Sequence, residues 1–273
     1  MPDASSPSAP RYTHGHHDSV LQSHRWRTAA NSAAYLLGEL RPGLSLLDVG
    51  CGPGTITADL AALVAPGQVT AVDAAPAILD EARAVAAGRG LTNVRFEVAD
   101  AHRLPYPDAS FDVVHAHQVL QHLADPVAAL SELRRVCRPG GVVAARDGDY
   151  GGFVWAPADP LLDRWRQLYL AVARANGGEP LGGRLLVDWA RRAGFSRIEA
   201  SATTWVYASA EERAWWGESW AQRATVSAFA DGARAHGLAT DDELQAIAAA
   251  WRRWGAADTG WLLIPNGEVR CRP

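Results

Sequence analysis

Residues 46–54, Leu46-Leu47-Asp48-Val49-Gly50-Cys51-Gly52-Pro53-Gly54, constrain the fold more than any other stretch of this chain. An apolar run of this length reads as a buried strand. Glycines directly after it let the chain turn tightly and let its backbone lie against a ligand with no Cβ in the way. A helix over about 55–64 comes next, and its first backbone N–H groups are free to face a bound group. Strand, glycine turn and helix make a nucleotide-sized cradle. The spacing is Asp-x-Gly-x-Gly-x-Gly, with a carboxylate just ahead of the turn. Nicotinamide-dinucleotide sites use Gly-x-Gly-x-x-Gly instead, so a dehydrogenase is the disfavoured reading.

The turn gains force from further strands spaced regularly along the chain. Residues 69–73, Val-Thr-Ala-Val-Asp, read as a second strand ending in Asp73. A carboxylate at that position can accept both hydroxyls of a ribose. Residues 94–100 read as a third strand ending in Asp100, whose carboxylate suits an adenine amino group. Residues 111–116 give a fourth strand. Arg138-Pro139-Gly140-Gly141 then ends a helix and leads into a fifth, Val142 to Arg146. Strands alternating with helical segments predict an α/β fold around a doubly wound sheet.

On these segments the chain resembles the class I S-adenosylmethionine-dependent methyltransferases, in the branch related to the ubiquinone/menaquinone C-methyltransferases. LLDVGCGPG (46–54), AVD (71–73), VADAHRLPYPDASFDVVHA (98–116), HQVLQHLADP (117–126) and LRRVCRPGG (133–141) carry the likeness. It covers roughly residues 40–150 in the family's order. It implies a Rossmann-like sheet, mostly parallel with the last strand antiparallel, bearing helical inserts and an N-terminal helical cover. The cofactor implied is S-adenosylmethionine, with S-adenosylhomocysteine as product. Asp48, Gly50, Gly52, Gly54, Asp73, Ala74, Asp100, Ala101, His102 and His117 are the positions that would meet it. The acceptor is left open, because the family methylates oxygen, nitrogen, sulfur and carbon.

Composition fits that resemblance. The 273 residues suffice for one large domain with an inserted cap. A net charge of −4 gives no electrostatic reason to expect nucleic acid or an anionic membrane. The fourth strand is followed by His117-Gln118-Val119-Leu120, and not by the Asn/Asp-Pro-Pro-aromatic pattern of DNA base methylases. All 26 basic residues are arginine, which excludes a Schiff-base lysine and supplies no base. Three separated cysteines, Cys51, Cys137 and Cys271, form neither a zinc pattern nor a disulfide framework. A cytoplasmic setting is expected, with no leader or membrane-spanning run, and no metal. A small-molecule acceptor is the expected partner, a homodimer being admissible.

The expected organisation is a disordered tail over 1–10, a helical cover over 11–40, a cofactor-binding core over 41–150, and a remainder over 151–273. That remainder carries helical inserts at about 158–176 and 210–255. All but Trp26 and Trp155 of the eleven tryptophans lie at position 165 or later. Aromatic faces suit flat apolar ligands, although most such rings simply pack a core. Trp155 and Trp216 are the candidate pocket walls. In the N-terminal segment, Tyr12, His16 and Arg27 are candidates for the methionine carboxylate or the acceptor. His14, His16 and His17 lack the acidic or cysteine partner a metal site would need. Ligand crevices of open α/β sheets lie at the strands' carboxyl ends, so His117, His122, Asp147 and Asp149 are the candidate acids and bases, with His117 and Asp147 foremost. The expected chemistry is methyl transfer to an aromatic or polycyclic metabolite, favouring oxygen or nitrogen. Two rivals stand beside it: a quinone C-methyltransferase, and a protein that binds the cofactor without transferring its methyl group.

Overall fold

The computed structural model describes residues 24–273, so Tyr12, His16 and the expected tail lie outside the described residues. Two short helices, α1 (Ala29–Ser32) and α2 (Ala34–Leu37), lead into the sheet. It then builds as β1 (Leu46–Val49), α3 (Thr55–Val64), β2 (Val69–Asp73), α4 (Pro76–Gly88), β3 (Val94–Val98), β4 (Phe111–His117), α5 (Pro126–Val136) and β5 (Cys137–Gly148). Beyond β5 come β6 (Val154–Ala156), α6 (Pro160–Ala175), α7 (Gly182–Arg192), β7 (Arg197–Tyr207), α8 (Ala210–Val226), α9 (Ala228–Ala235), α10 (Asp241–Ala256) and β8 (Trp261–Arg272).

Strands β1 to β5 run parallel in the order β3-β2-β1-β4-β5. The last strand, β8, is antiparallel to β5 on one side and to β7 on the other. Short β6 pairs with the start of β8, on the edge where β5 leaves off. Successive strand residues point to opposite faces, which divides the core. Leu46, Val113, Val142 and Ala144 pack under the N-terminal helices and α3. Leu47, Val114, Val143 and Ala145 pack on the other face, against α5 and α7.

The two expected inserts join in a third core. Helices α6, α8, α9 and α10 bury Trp165, Trp220 and Trp251 among themselves. Trp165 meets Trp220 and Trp251 edge-on, with ring centroids 4.5 and 4.8 Å apart. The insert expected over 210–255 is three helices, because Val226-Ser227 interrupts it and Ser227 caps α9 by accepting the Phe229 N–H. Helix α6 opens as its sequence indicates, Asp159 accepting the Leu161 N–H before Pro160. No helix among the described residues is long and apolar enough to cross a membrane.

Candidate active site

The carboxyl ends of β1 to β5 form one edge, and β1 and β4 flank the point where strand order reverses. Such a switch point is where open α/β sheets hold their ligands. The glycine turn after β1 lies there. Gly50 has φ +70° and the Cβ of any other residue would run into the Val119 side chain, so the turn and the segment after β4 touch. Gly52, at φ +53°, faces open space within 4 Å. Backbone and not side chain therefore lines the hollow beside Gly52, as close approach of a ligand requires.

Asp73, at the end of β2, accepts the Gly52 N–H (3.0 Å) with one oxygen and the Ala75 N–H (3.0 Å) with the other. It binds the glycine turn to the second strand end and stays half-buried beside the hollow. Asp100 is 67% exposed and accepts the His102 N–H at 2.9 Å; this bond holds its carboxyl below the usual carboxylate range. Ala74 is exposed and Ala101 buried in the same rim. Val98, 56% exposed and paired in register with Asp73, gives the rim an apolar surface. Asp48 differs from these two acids in being buried. Its oxygens accept from Thr57 Oγ1 (2.5 Å) and pair with His115 Nδ1 (2.8 Å), fastening α3 and β4 to β1.

A small cavity opens past the end of β4, lined by His24, Arg27, Gln118, Gly148, Tyr150, Phe153, Trp205, Trp216, Arg223 and Ile264. Of the sequence candidates, Trp216 and Arg27 line it. Trp155 does not: it pairs with Leu262 at the sheet edge and packs edge-on to Trp165. The N-terminal segment crosses above the glycine turn, where the His24 carbonyl accepts the Thr55 hydroxyl and Arg25 pairs with Glu81. Trp26 packs on Trp205, Tyr207 and Trp215, so this segment ties the sheet to the insert. Arg146, buried with Glu268 at 3.2 Å, lies 4.4 Å beneath the Trp205 ring and supports that wall.

Neither of the foremost sequence candidates for base lines this cavity. His117 is buried behind Trp205, centroids 5.9 Å apart, and burial, with the charges of Arg27 and Arg146, keeps its imidazole well below its ordinary pKa. It is neutral and a poor proton acceptor. His122 is driven to about 3 by burial. Asp147 points to the opposite sheet face from Arg146 and Gly148 and accepts the Gln121 N–H. Asp149 pairs with Arg184 (2.9 Å) and caps the turn at Tyr150–Gly152. Sequence reasoning missed His24, Gln118, Gly148, Tyr150, Phe153, Trp205 and Arg223. Gln118 is held at φ +56°, a conformation that a glutamine rarely adopts and no sequence signal marks. Such strain gathers at functional sites.

Burial raises Asp147 to about 8. The folded state thus holds a proton that the unfolded chain releases near 4. Stability contributed by that proton is complete below about 4 and is lost as pH climbs to about 8. Asp147→Asn removes the titration, so its melting temperature relative to the parent should rise between pH 5 and 8 by at least about 5 °C. Paired thermal melts at the two pH values measure it, and a constant gap would refute the buried-proton account.

An open sheet with a glycine cradle at its switch point, two accessible acids at the next strand ends and an adjoining aromatic cavity defines a nucleoside-cofactor enzyme. Residues 47–145 match the family described as a methyltransferase domain. Over 269 residues the chain is 34% identical to an uncharacterized methyltransferase of Schizosaccharomyces pombe, covering 94% of this chain and 95% of that protein. A demethylmenaquinone methyltransferase of Deinococcus radiodurans is 39% identical over 116 residues, which is 42% of this chain and 46% of that one. The fold is similar to the crystal structure of the YcgJ protein of Bacillus subtilis, with TM-score 0.58 at 18% identity, over 94% of this chain and 99% of that one. The chain belongs to the class I S-adenosylmethionine-dependent methyltransferases. It is an enzyme, and its cofactor is S-adenosylmethionine.

Proposed function

We propose that this enzyme methylates a flat small-molecule acceptor, on oxygen or nitrogen, in the cavity between the β4 end, Trp205 and Trp216. The observation carrying this reading is the shared segment Gln118-Val119. Val119 abuts the glycine turn while Gln118 lines the cavity, so the two sites adjoin at one point of the chain. The cofactor supplies a methyl group already activated on a sulfonium. The protein's part is therefore positioning and exclusion of water.

In this reading Asp73 accepts the ribose hydroxyls, and Asp100, with Ala74, Ala101 and His102 around it, holds the base against Val98. Gly50, Gly52 and Gly54 let the backbone come close, and Asp48 acts at a distance by bracing the turn. Arg27 and His24 stand at the methionine end. Tyr150, Phe153, Trp205 and Trp216 clamp a planar acceptor by burial and ring contact. Where the acceptor must lose a proton, the imidazole of His24 lines the cavity and is the side chain assigned to take it. Gln118 donates to Asn266 Oδ1 (2.8 Å) and accepts from Gln121 (2.6 Å), which fixes the floor.

The quinone C-methyltransferase reading has less support, because the likeness to the Deinococcus enzyme covers 42% of this chain. The test is calorimetric titration with S-adenosylmethionine, S-adenosylhomocysteine and NADH, followed by product mass after incubation with phenols, aromatic amines and demethylated quinones. Micromolar binding of the two adenosyl ligands and methylated phenol or amine are expected. A product from the quinones alone would replace this proposal by its rival.

A further inference from the structure

Strand β7 pairs with β8 along one edge and, among the described residues, with no strand along the other. Its 11 residues pair with β8 in unbroken register, without a bulge. Among the described residues none of its backbone groups bonds to any element but β8. From Ala200 to Tyr207 it carries no charge and no proline, and Glu199 through Thr204 are exposed. Free strand edges invite another strand, and are ordinarily blunted by charge, proline, a bulge or a covering element. This one has none of the first three. Helices α1 and α2 stand beside it, held where the Trp205 indole donates to the Asn31 carbonyl at 2.9 Å. They leave a groove of about 290 Å³, with Thr203, Thr204, Trp205 and Val206 on one wall and the small side chains of Ala30 and Ala34 on the other. Strand residues of both faces line it, so the groove follows the free edge itself.

We propose that a second copy of this chain lays its β7 antiparallel against this edge, about a twofold axis through Ala202, joining the two sheets into one. A twofold axis perpendicular to the sheet keeps every side chain on its own face, so opposed residues must share a face. Ala202 is the midpoint of the strand, and pairing it with Ala202 of the second copy uses the full length. Ser201 then meets Thr203, Ala200 meets Thr204, Ile198 meets Val206 and Arg197 meets Tyr207. Hydroxyl and β-branched pairs suit cross-strand contact, and no like charges are opposed. The segment entering the groove is Ile198 to Ser201, slim at Ala200 and Ser201, its one charge, Glu199, already held by Arg270 at 2.6 Å. Charge at the strand's two ends selects a second copy over any other extended chain. Arg197 is exposed, and so is Glu211, which lies in the first turn of α8 just past Tyr207. Neither has an ion-pair partner among the described residues. The twofold axis brings Arg197 of each copy to the strand end where Glu211 of the other stands. Such complementarity fixes register and orientation. Trp205 lines both the groove and the cavity past β4, so the pairing also braces one wall of that cavity.

Sedimentation equilibrium of the full chain at micromolar concentration should give twice the chain's mass. Ala202→Lys puts two ammonium groups face to face at the axis and should weaken the dimer at least about tenfold, with S-adenosylhomocysteine affinity unchanged as the sign of a folded chain. Arg197→Glu should weaken it as well, and adding Glu211→Arg should restore part of the loss. Mild oxidation reads the register. Ala202→Cys should form an intermolecular disulfide, because its Cα faces that of its own copy at about 4.5–5.5 Å. Ala200→Cys lies about 13 Å along the strand from its own copy and should not. If Ala202→Lys does not fold, the contrast between the two cysteine variants still decides. A monomer, a dimer that survives Ala202→Lys, or cross-linking as ready at position 200 as at 202 would overturn the proposal.

Discussion

Asp73→Ala should weaken S-adenosylhomocysteine binding by roughly a hundred- to ten-thousandfold while the protein stays folded. The carboxylate stands at the C-terminal end of β2, half-buried, and its two oxygens already accept from Gly52 and Ala75 at 3.0 Å. A carboxylate oxygen has lone pairs for more than one donor, so in the proposed role the ribose hydroxyls would add to those bonds without displacing them. Two hydrogen bonds to a charged acceptor contribute about 3–6 kcal/mol together, which gives the stated range. Loss of the Gly52 bond also loosens the turn that must lie against the cofactor. Asp73→Asn separates the two effects: its amide oxygen can still accept from Gly52, but it is uncharged and offers a single acceptor atom. It should fall between Ala and the parent. Asp100→Ala should lose only about tenfold, because that side chain is mostly solvated and water competes for it. Calorimetry on the three variants, with thermal melts to verify folding, measures all of this. A loss smaller than tenfold for Asp73→Ala would remove the ribose role.

The cofactor half is legible because its chemistry is local. A glycine where the backbone must bend to positive φ, or an acid at a strand end, is a requirement met within a few residues of sequence, and βα alternation then orders the sheet. The cavity is assembled differently. Whether a tryptophan lines it or fills a core depends on how α6, α8 and α10 pack, and those helices bring Trp165, Trp220 and Trp251 together from positions up to 86 residues apart. Trp216 lines the cavity while Trp220, one helical turn on, lies wholly in the insert core, and composition does not distinguish them. Asp147 is instructive in another way. Alternation along β5 puts Arg146 and Gly148 on one face and Asp147 on the other, so strand periodicity by itself argues against its facing the cavity. The left-handed backbone at Gln118 has no sequence signal at all, since it is imposed by the bonds to Asn266 and Gln121 and by its own N–H donating to the Arg146 carbonyl at 2.7 Å.

Gly267→Ala should cost about 3–5 kcal/mol of stability and lower the melting temperature by about 10 °C. Gly267 lies on β8 between Asp147 of β5 and Ala202 of β7, in the middle of the sheet. A Cβ there would overlap the Gly183 carbonyl and come within 2.9 Å of the Gly183 Cα. At Gly183 it would come within 2.6 Å of the Asp147 carbonyl oxygen and 2.8 Å of the Gly267 nitrogen. Both obstacles are backbone, so no side chain can swing aside. Relief requires the first turn of α7 to lift off the sheet. That turn presses on the functional site from behind: a Cβ at neighbouring Gly182 would meet the Gln121 Cβ at 2.8 Å. Lifting α7 therefore withdraws support from the segment 118–122 that floors the proposed acceptor cavity, while the glycine turn after β1 is touched through Val119. The variant should accordingly keep S-adenosylhomocysteine affinity within a few-fold below its melting range, yet bind acceptors more weakly. Gly183→Ala should behave alike, and the double variant should fall short of the sum, because both changes act through one contact. Urea unfolding of the three variants tests this, and a loss under about 1 kcal/mol for Gly267→Ala would show that the helix and sheet are not locked at this point.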